Sequence, residues 1–239
     1  MARDDFASEI ERVDALAWER GCSIDPGRND FIGPFVANFI EREHPLGILD
    51  LGTGTAYLPR LIDQGLSYRP HWIAVDQSKH RLQVARDLQS PSMNLRLVNQ
   101  DISELTLVGE QFELILLTFT LLEISDLDNV AKRTDDLIKE FGVIIIAMPD
   151  VWHDIIEVYE REPRTRNTLK DDGIRLPKID KFTGKAYPFH ARRTEHILGP
   201  FLRQGFILEA IEQGGPEQGL FLLILRKWSG VMPATIRHA

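Results

Sequence analysis

The sequence is poor in the features that mark secreted, metal-binding and membrane-spanning proteins. It has a single cysteine, Cys22, which excludes an internal disulfide framework and a cysteine-rich metal site. No apolar run approaches the roughly 20 residues that a membrane-spanning helix needs. The N-terminus is acidic and amphipathic, without the apolar region of a signal peptide. These absences predict a cytoplasmic protein.

Positive charge is also in deficit. The chain has 28 Lys and Arg residues against 36 Asp and Glu residues, a formal net charge of −8. This balance argues against a protein whose main task is broad binding to nucleic acid. The length of 239 residues and the hydrophobic fraction of 43% suit one α/β domain with an appended element.

The first part of the chain is predicted to be helical. An amphipathic helix is predicted over the first twenty residues, because apolar side chains recur there at helical spacing. The stretch "GCSIDPGRND" is typical of a loop, and a second helix is predicted over 31–43, ending before Pro45. The apolar positions of the first helix are Phe6, Ile10, Val13, Leu16 and Ala17.

From Leu46 onward, strand-like and helix-like segments alternate, which predicts a parallel sheet with right-handed crossovers. The last two strands have no helix between them, only "GGPEQ", so they are predicted to pair antiparallel. The predicted strands are "LGILD", "HWIAVD", "MNLRLVNQD", "FELILLT", "GVIIIAMPD", "FILEAIEQ" and "GLFLLILRK". The predicted helices are 55–64, 78–88, 127–140 and the segment "RRTEHILGPFLRQGF".

The stretch "GILDLGTGTAYLPRLI" places two glycines directly after a buried strand. A phosphate-binding P-loop would need a lysine followed by serine or threonine near the place where Tyr57 and Leu58 stand. A dinucleotide-binding turn would need a third glycine at residue 57, and a pyrophosphate would be disfavoured by the carboxylate of Asp50. Asp50 instead suits a ligand that carries a cationic amine and no phosphate.

This segment resembles the first motif of class I S-adenosylmethionine-dependent methyltransferases, an acid followed by three alternate glycines. Asp50 and the two glycines match the motif, and Ala56 replaces the third glycine. Acids also end the next two strands, at Asp76 in "IAVDQS" and at Asp101 in "NQDISEL". The resemblance covers roughly residues 30–150, and more weakly the terminal helix and hairpin. A lone Gly-x-Gly is weak evidence, but three acids after three successive strands make the pattern specific.

The resemblance implies a binding site for S-adenosylmethionine at the carboxyl ends of these strands. Asp76 is implied to bind the ribose hydroxyls, Asp101 the adenine amino group, and Ile102 the adenine ring. Thr118 and Phe119 are implied to lie along the methionine portion. The implied cofactor-binding residues are Asp50, Gly52, Thr53, Gly54, Tyr57, Asp76, Gln77, Asp101, Ile102, Thr118 and Phe119.

Several of these residues also have a plainer interpretation. The strand-end acids could cap the helices that follow, although Ser78 is available for that role after the second strand, and Asp101 could be a turn acid. Tyr57 is implied near the methionine carboxylate, but packing at the helix start would explain it equally well. Arg28 could reach the same carboxylate from the upstream loop, although a loop arginine is commonly exposed.

The implied reaction moves a methyl group from a sulfonium to a nucleophile, and much of its catalysis can be positioning. A hydroxyl acceptor would also need a base. Glu123 after the fourth strand and His153 after the fifth are the candidate catalytic residues, with Asp150 beside them. A substrate contact or a solvated side chain would explain each of them as well.

Residues 151–195 interrupt the strand–helix rhythm, with several prolines and slightly more Lys and Arg than Asp and Glu. They are predicted to form a lid, with Trp152, Tyr187 and His190 against the substrate; a solvated excursion is the alternative. His153 and His190 with Asp150 do not have the spacing of an established metal site, so no metal is predicted.

The predicted fold is a single doubly wound α/β domain over 1–239 with a mostly parallel seven-stranded sheet. The resemblance implies the Rossmann-like strand order 3-2-1-4-5-7-6, with strand 7 antiparallel. The predicted parts are an N-terminal cover (1–44), a cofactor-binding core (45–150), a substrate lid (151–195) and a C-terminal helix and hairpin (196–239).

The predicted activity is methyl transfer from S-adenosylmethionine to an O, N or C atom of a small molecule. The Asn/Asp-Pro-Pro-Tyr/Phe signature of base-amine methylation is absent after the fourth strand, and no nucleic-acid-reading module is recognisable. The alternatives are a methyltransferase acting on RNA or protein, and a non-catalytic cofactor-binding protein of the same fold. No membrane partner is predicted, and a homo-oligomer is compatible with the sequence.

Overall fold

Strands and helices alternate along most of the chain, as the sequence pattern predicts. The computed structural model describes residues 3–150, 174–179, 186–216, 219–228 and 230. None of the helices in these ranges is long and apolar enough to cross a membrane. The helices are α1 (Arg3–Ser23), a π-helix (Gly27–Ile32), α2 (Gly33–Glu43), α3 (Tyr57–Asp63), α4 (Lys79–Leu88), α5 (Leu127–Leu137) and α6 (Thr194–Arg203), with 3-10 turns at Ile102–Glu104 and Thr120–Leu122. The strands are β1 (Gly47–Leu51), β2 (His71–Asp76), β3 (Leu95–Asn99), β4 (Phe112–Thr118), β5 (Ile138–Pro149), β6 (Ile174–Ile179), β7 (Ala186–Ala191), β8 (Phe206–Gly214) and β9 (Leu220–Lys227).

Seven of the strands form one sheet in the order β3-β2-β1-β4-β5-β9-β8. All pairs formed among strands β1 to β5 are parallel. Strand β9 runs antiparallel to both β5 and β8. Within this sheet β8 and β9 are the sixth and seventh strands along the chain, so the predicted order 3-2-1-4-5-7-6 with strand 7 antiparallel is confirmed. The order reverses beside β1, where the carboxyl ends of the strands open a crevice.

Both faces of the sheet are covered by helices. In β4, Ile115 and Leu117 belong to the buried cluster that includes α5 and α6, whereas Leu114 and Leu116 belong to the cluster that includes α2 and α3. All four side chains are at most 1% exposed. Burial on both faces explains why β4 is apolar throughout instead of alternating, and it fixes the position of the strand ends at which the candidate site lies.

The N-terminal cover differs from its prediction in two respects. The segment Gly27–Ile32, predicted as part of a loop and the start of a helix, is a π-helix that continues directly into α2. The buried face of α1 also differs, because Val13 and Leu16 are 52% and 40% exposed while Ala15 and Cys22 are buried. The Glu19–Arg60 ion pair holds α1 on α3, and a contact between Glu11 and His80 holds it on α4. Val13 and Leu16 therefore do not lie on the face of α1 that packs inward.

The boundary between α5 and β5 also lies earlier than predicted. The helix predicted over 127–140 ends at Leu137, and β5 begins at Ile138. Phe141 has a positive φ of 61°, and the register between β4 and β5 shifts nearby. Ile138 pairs with Phe112 of β4, so β5 includes three residues that were predicted to be helical, because pairing within the sheet outweighs local helix propensity.

The insertion after β5 contains a two-stranded antiparallel sheet, β6–β7, which the sequence analysis does not predict. The other lid positions, 151–173 and 180–185, lie outside the described residues. Arg192, directly after β7, is 4% exposed. Its guanidinium donates hydrogen bonds to the carbonyl oxygens of Leu121 at 2.9 Å and Ser125 at 3.1 Å. The exit of the insertion is thereby tied to the segment that follows β4.

Candidate active site

The glycine turn after β1 is held by the neighbouring strand. The backbone N–H groups of Gly52 and Thr53 both donate to the carbonyl of Val75 at 2.9 Å. Gly52 and Gly54 have φ angles of +74° and +60°, a region that favours glycine. The turn therefore lies at the carboxyl ends of β1 and β2, where the sequence analysis places the site.

Asp50 is buried within this turn. Its side chain is 2% exposed and accepts a hydrogen bond from the Thr53 hydroxyl at 2.5 Å. Burial raises the pKa of the Asp50 carboxyl group to about 7; the hydrogen bond from Thr53 opposes the rise, and the negative charge of Asp76 adds to it. The carboxyl group thus changes its charge close to neutral pH.

Asp76 ends β2 and faces the same turn. It is 4% exposed, and its two carboxylate oxygens accept hydrogen bonds from the N–H groups of Gly54 at 2.7 Å and Ser78 at 2.8 Å. Helix α4 is capped by the Ser78 side chain, which accepts from the N–H of Arg81. Asp76 is therefore not the helix cap; Gln77 beside it is exposed.

Asp101 and Ile102 lie at the edge of the site beyond β3. Asp101 is exposed and accepts hydrogen bonds from the N–H and the hydroxyl of Ser103 at 2.8 and 2.6 Å, so it occupies the turn position that was its plainer interpretation. Ile102 is 8% exposed and packs in the core cluster of α5. A backbone hydrogen bond from Gln100 to Asp76 links this turn to β2.

The segment after β4 closes the other side of the turn. Thr118 ends β4, and Phe119 follows with a φ of 60° and a hydrogen bond from its N–H to the carbonyl of Ala147. Thr120 donates its hydroxyl to the Leu51 carbonyl at 2.8 Å, and a Cβ placed on Gly52 would lie 2.5 Å from the Thr120 side chain. Glu123 is exposed just beyond this segment.

The N-terminal cover lies directly over the turn. A Cβ placed on Gly54 would lie 2.9 Å from the Trp18 indole nitrogen. Glu19 pairs with Arg60 of α3 at 2.6 Å. Tyr57 donates its hydroxyl to Asn29 at 2.6 Å, so packing against the cover accounts for its side chain. Sequence reasoning missed both Trp18 and Thr120 as site neighbours, because these contacts join elements far apart in the chain.

The lid residues are only partly described. Trp152 and His153 lie outside the described residues. Tyr187 and His190 lie on β7, opposite Lys178 and Arg175 of β6. Asp150 is tied to the end of the C-terminal hairpin by a hydrogen bond from its N–H to the carbonyl of Gly219. In the described ranges, no three His, Cys, Asp or Glu side chains are grouped so that they could hold a metal ion.

The two buried carboxyl groups define the ligand chemistry of the turn. Among the described residues, neither Asp50 nor Asp76 has a cationic side chain as partner, although a buried carboxylate without one is costly. Each oxygen of Asp76 holds one backbone hydrogen bond and retains acceptor capacity for a hydroxyl. A ligand with hydroxyl donors and an ammonium group fits these residues.

A family model described as a methyltransferase domain matches residues 44–200. A comparison with curated proteins finds no match. The matched range begins where the N-terminal cover ends and includes the glycine turn, β1 to β7 and most of α6.

Solved methyltransferase structures share the fold at low sequence identity. An S-adenosylmethionine-dependent methyltransferase from Clostridium acetobutylicum is 16% identical, with a TM-score of 0.61 over 86% of this chain and 93% of that one. Magnesium protoporphyrin IX methyltransferase from Synechocystis, with bound S-adenosylhomocysteine, is 12% identical, with a TM-score of 0.60 over 82% and 81%. An N-methyltransferase from Bradyrhizobium japonicum, in complex with S-adenosylhomocysteine, is 10% identical, with a TM-score of 0.55 over 81% and 84%.

Proposed function

The chain belongs to the methyltransferase-domain family, and from that premise we propose that it transfers a methyl group from S-adenosylmethionine to a small-molecule acceptor. The observation that carries the proposal is the pair of buried acids, Asp50 and Asp76, which meet at the glycine turn without a cationic partner in the described part of the chain. Two structural neighbours hold S-adenosylhomocysteine, the product of such a transfer.

S-adenosylmethionine supplies a methyl group that is already activated on a sulfonium. In the proposed site Asp50 receives the ammonium group, because the Asp50 carboxyl group becomes negatively charged as it loses its proton near neutral pH. Asp76 accepts hydrogen bonds from the ribose hydroxyls, and Gln77 lies beside it. Asp101 and Ile102 border the adenine portion, and Thr118 and Phe119 border the methionine portion. The glycine turn brings the backbone close to the same ligand, and the Thr53 hydroxyl donates a hydrogen bond to Asp50.

The protein's contribution to the transfer is mainly orientation of the acceptor and exclusion of water. Glu123 and His153 are the proposed proton acceptors for an acceptor hydroxyl or ammonium. Trp152, Tyr187 and His190 are the proposed substrate contacts from the lid. The net charge of −8 favours a small-molecule acceptor over nucleic acid.

We propose that residues 1–239 form one methyltransferase domain. Its parts are the N-terminal cover, the cofactor-binding core, the substrate lid and the C-terminal helix and hairpin. The cytoplasm is the proposed compartment, because a single cysteine provides no disulfide pair.

Calorimetric titration with S-adenosylhomocysteine tests the cofactor site. We expect micromolar binding by the wild type and at least about tenfold weaker binding by Asp76→Asn, a loss of about 1.4 kcal/mol. Asparagine keeps the size of the side chain and one acceptor oxygen for the backbone. Asp87→Asn is the matched control, since Asp87 lies exposed on α4, and its affinity should equal that of the wild type.

Absence of binding by folded wild-type protein would refute the proposed function. If the wild type binds S-adenosylhomocysteine, candidate acceptors can be screened with S-adenosylmethionine. Release of S-adenosylhomocysteine then identifies the acceptor. Turnover on RNA or protein alone would replace the small-molecule acceptor, and binding without turnover on any acceptor would indicate a non-catalytic member of the family.

A further inference from the structure

We propose that a cleft at the amino edge of the seven-stranded sheet binds a small molecule that has an apolar body and a single carboxylate, and that Arg133 of α5 receives this carboxylate. The cleft lies at the opposite edge of the sheet from the proposed cofactor site. It is a second binding site, and its occupancy does not depend on methyl transfer.

The strand topology separates the cleft from the glycine turn. The cleft has a volume of about 780 Å³, within the range of roughly 300–1,000 Å³ that is usual for small-molecule sites. Its lining includes Gly47, His71 and Phe112, the first residues of β1, β2 and β4. Because these strands are parallel, their first residues lie at one edge of the sheet, whereas Asp50 and Asp76 lie toward the other.

Apolar side chains surround the space inside the cleft. Leu105, Phe112 and Leu137 line it and are buried in the core that supports α5, and Leu107 packs against the same core from the segment before β4. Nothing lies within 4 Å of a Cβ placed on Gly109 in that segment, so the space beside this glycine is open. An apolar ligand body would therefore meet an already formed apolar surface.

Arg133 is the charged group of the cleft that lacks a partner. Its Nε atom is buried, and within the described ranges Arg133 makes no hydrogen bond or ion pair. A buried charged donor without an acceptor is costly, so a ligand that supplies one gains binding free energy. Leu137 follows four residues later on α5, so the guanidinium and part of the apolar surface share one face of the helix.

The remaining charges of the cleft favour a single carboxylate over a polyanion. Lys139 is paired with Glu113, and Glu110 is paired with Arg96, while Asp136 is exposed to solvent. Two acidic side chains, Glu110 and Asp136, thus line the cleft beside its two basic ones, and they would repel a ligand with several negative charges. A guanidinium can bind one planar carboxylate through two parallel N–H donors.

Two acids and their uncharged amides test the site in calorimetric titration. 2-Naphthoate has a flat apolar body and octanoate a linear one; 2-naphthamide and octanamide keep these bodies without the charge. We expect the wild type to bind at least one acid with a Kd of about 1 mM or lower. Arg133→Gln should weaken this acid at least about tenfold and change the affinity of its amide less than about twofold. Arg133→Lys, which keeps the charge but loses the planar fork, should give an intermediate loss for the acid.

Lys132→Gln is the matched control, because Lys132 is the exposed neighbour on α5 and its substitution removes the same charge without touching the cleft. It should leave the affinity for the acid unchanged, and so should saturating S-adenosylhomocysteine. Hydrogen exchange on the wild type should show that the acid protects residues 105–112 and leaves residues 50–55 unprotected, a result that does not require the Arg133 variants to fold.

Absence of binding of both acids to folded wild-type protein would overturn the second site. Equal losses in Arg133→Gln and Lys132→Gln, displacement of the acid by S-adenosylhomocysteine, or protection that does not include residues 105–112 would each overturn it as well. Binding of an acid that depends on Arg133, in a protein that does not bind S-adenosylhomocysteine, would refute the proposed function and support the second site.

Discussion

The Asp50 carboxyl group is the ionisable group of the site whose charge depends most on its surroundings. Burial raises its pKa to about 7, and an ammonium group bound beside it would favour the ionised form. Ligand binding below pH 7 must therefore release a proton, so affinity should rise with pH up to about 7 and level off above it.

We expect S-adenosylhomocysteine to bind about tenfold more weakly at pH 6 than at pH 8, since about a tenth of Asp50 is ionised one unit below its pKa. Titration calorimetry in buffers of different ionisation enthalpy would count the released proton. Asp50→Asn should bind more weakly and lose this pH dependence. An equal pH dependence in wild type and Asp50→Asn would show that another group is responsible.

Substitutions at two glycines, Gly52 and Gly109, can distinguish the free-energy cost of an unfavourable backbone conformation from the cost of a steric clash. Gly52 and Gly109 have nearly the same φ, +74° and +75°. An added Cβ would lie 2.5 Å from Thr120 at residue 52, whereas nothing lies within 4 Å at residue 109.

Gly109→Ala should cost about 1–2 kcal/mol, the penalty of a left-handed alanine. Gly52→Ala should cost about 1–3 kcal/mol more, because the Thr120 side chain must also move. Thermal unfolding would report the difference as a further fall in Tm of about 2–10 °C. Equal Tm values for the two variants would contradict the close approach of Thr120 to the turn.

At the scale of elements, Arg192 links the hairpin β6–β7 to the segment after β4. Its buried guanidinium donates hydrogen bonds to the carbonyl oxygens of Leu121 and Ser125. Removal of a buried hydrogen-bond donor costs about 1–3 kcal/mol of stability for each acceptor left unsatisfied. Arg192→Met, which keeps the length of the side chain, should lower the stability by about 2–4 kcal/mol.

Chemical denaturation would measure this change, with Arg193→Met as control. Arg193 is the exposed neighbour, and its substitution should stay within about 0.5 kcal/mol of wild type. Equal stability of the two variants would mean that the hydrogen bonds of Arg192 do not anchor the insertion.

The element scale also shows where sequence reasoning reaches its limit. The strands β1, β2 and β4 were predictable, because burial on both faces leaves a continuous apolar run. Their order in the sheet was implied by the family resemblance. The π-helix and the inward face of α1 were not, since ion pairs and Trp18 decide how that helix docks. Hairpin β6–β7 was missed because polar residues and Pro177 and Pro188 obscure the strand pattern.

At the scale of the whole molecule, the family resemblance of the sequence implied the strand order and the position of the site, but not the contacts within the site. The motif placed Asp50 and Asp76 at one edge of the sheet, and the structure brings both to the same turn. The neighbours that enclose the turn, Trp18 and Thr120, come from elements far apart in the chain, whose approach depends on tertiary packing. No local period marks such a contact, so it becomes visible only in three dimensions.

The π-helix of the cover has a consequence for how this chain tolerates changes in length. A π-helix bonds five residues apart where an α-helix bonds four, so it is equivalent to one extra residue in an otherwise α-helical segment. Loss of a single residue from Gly27–Ile32 would restore ordinary helical bonding and turn the part of this segment before the deletion by about 100° relative to α2. The chain would then leave the segment toward α1 in a different direction, so a one-residue deletion here is expected to be worse for the site than most substitutions.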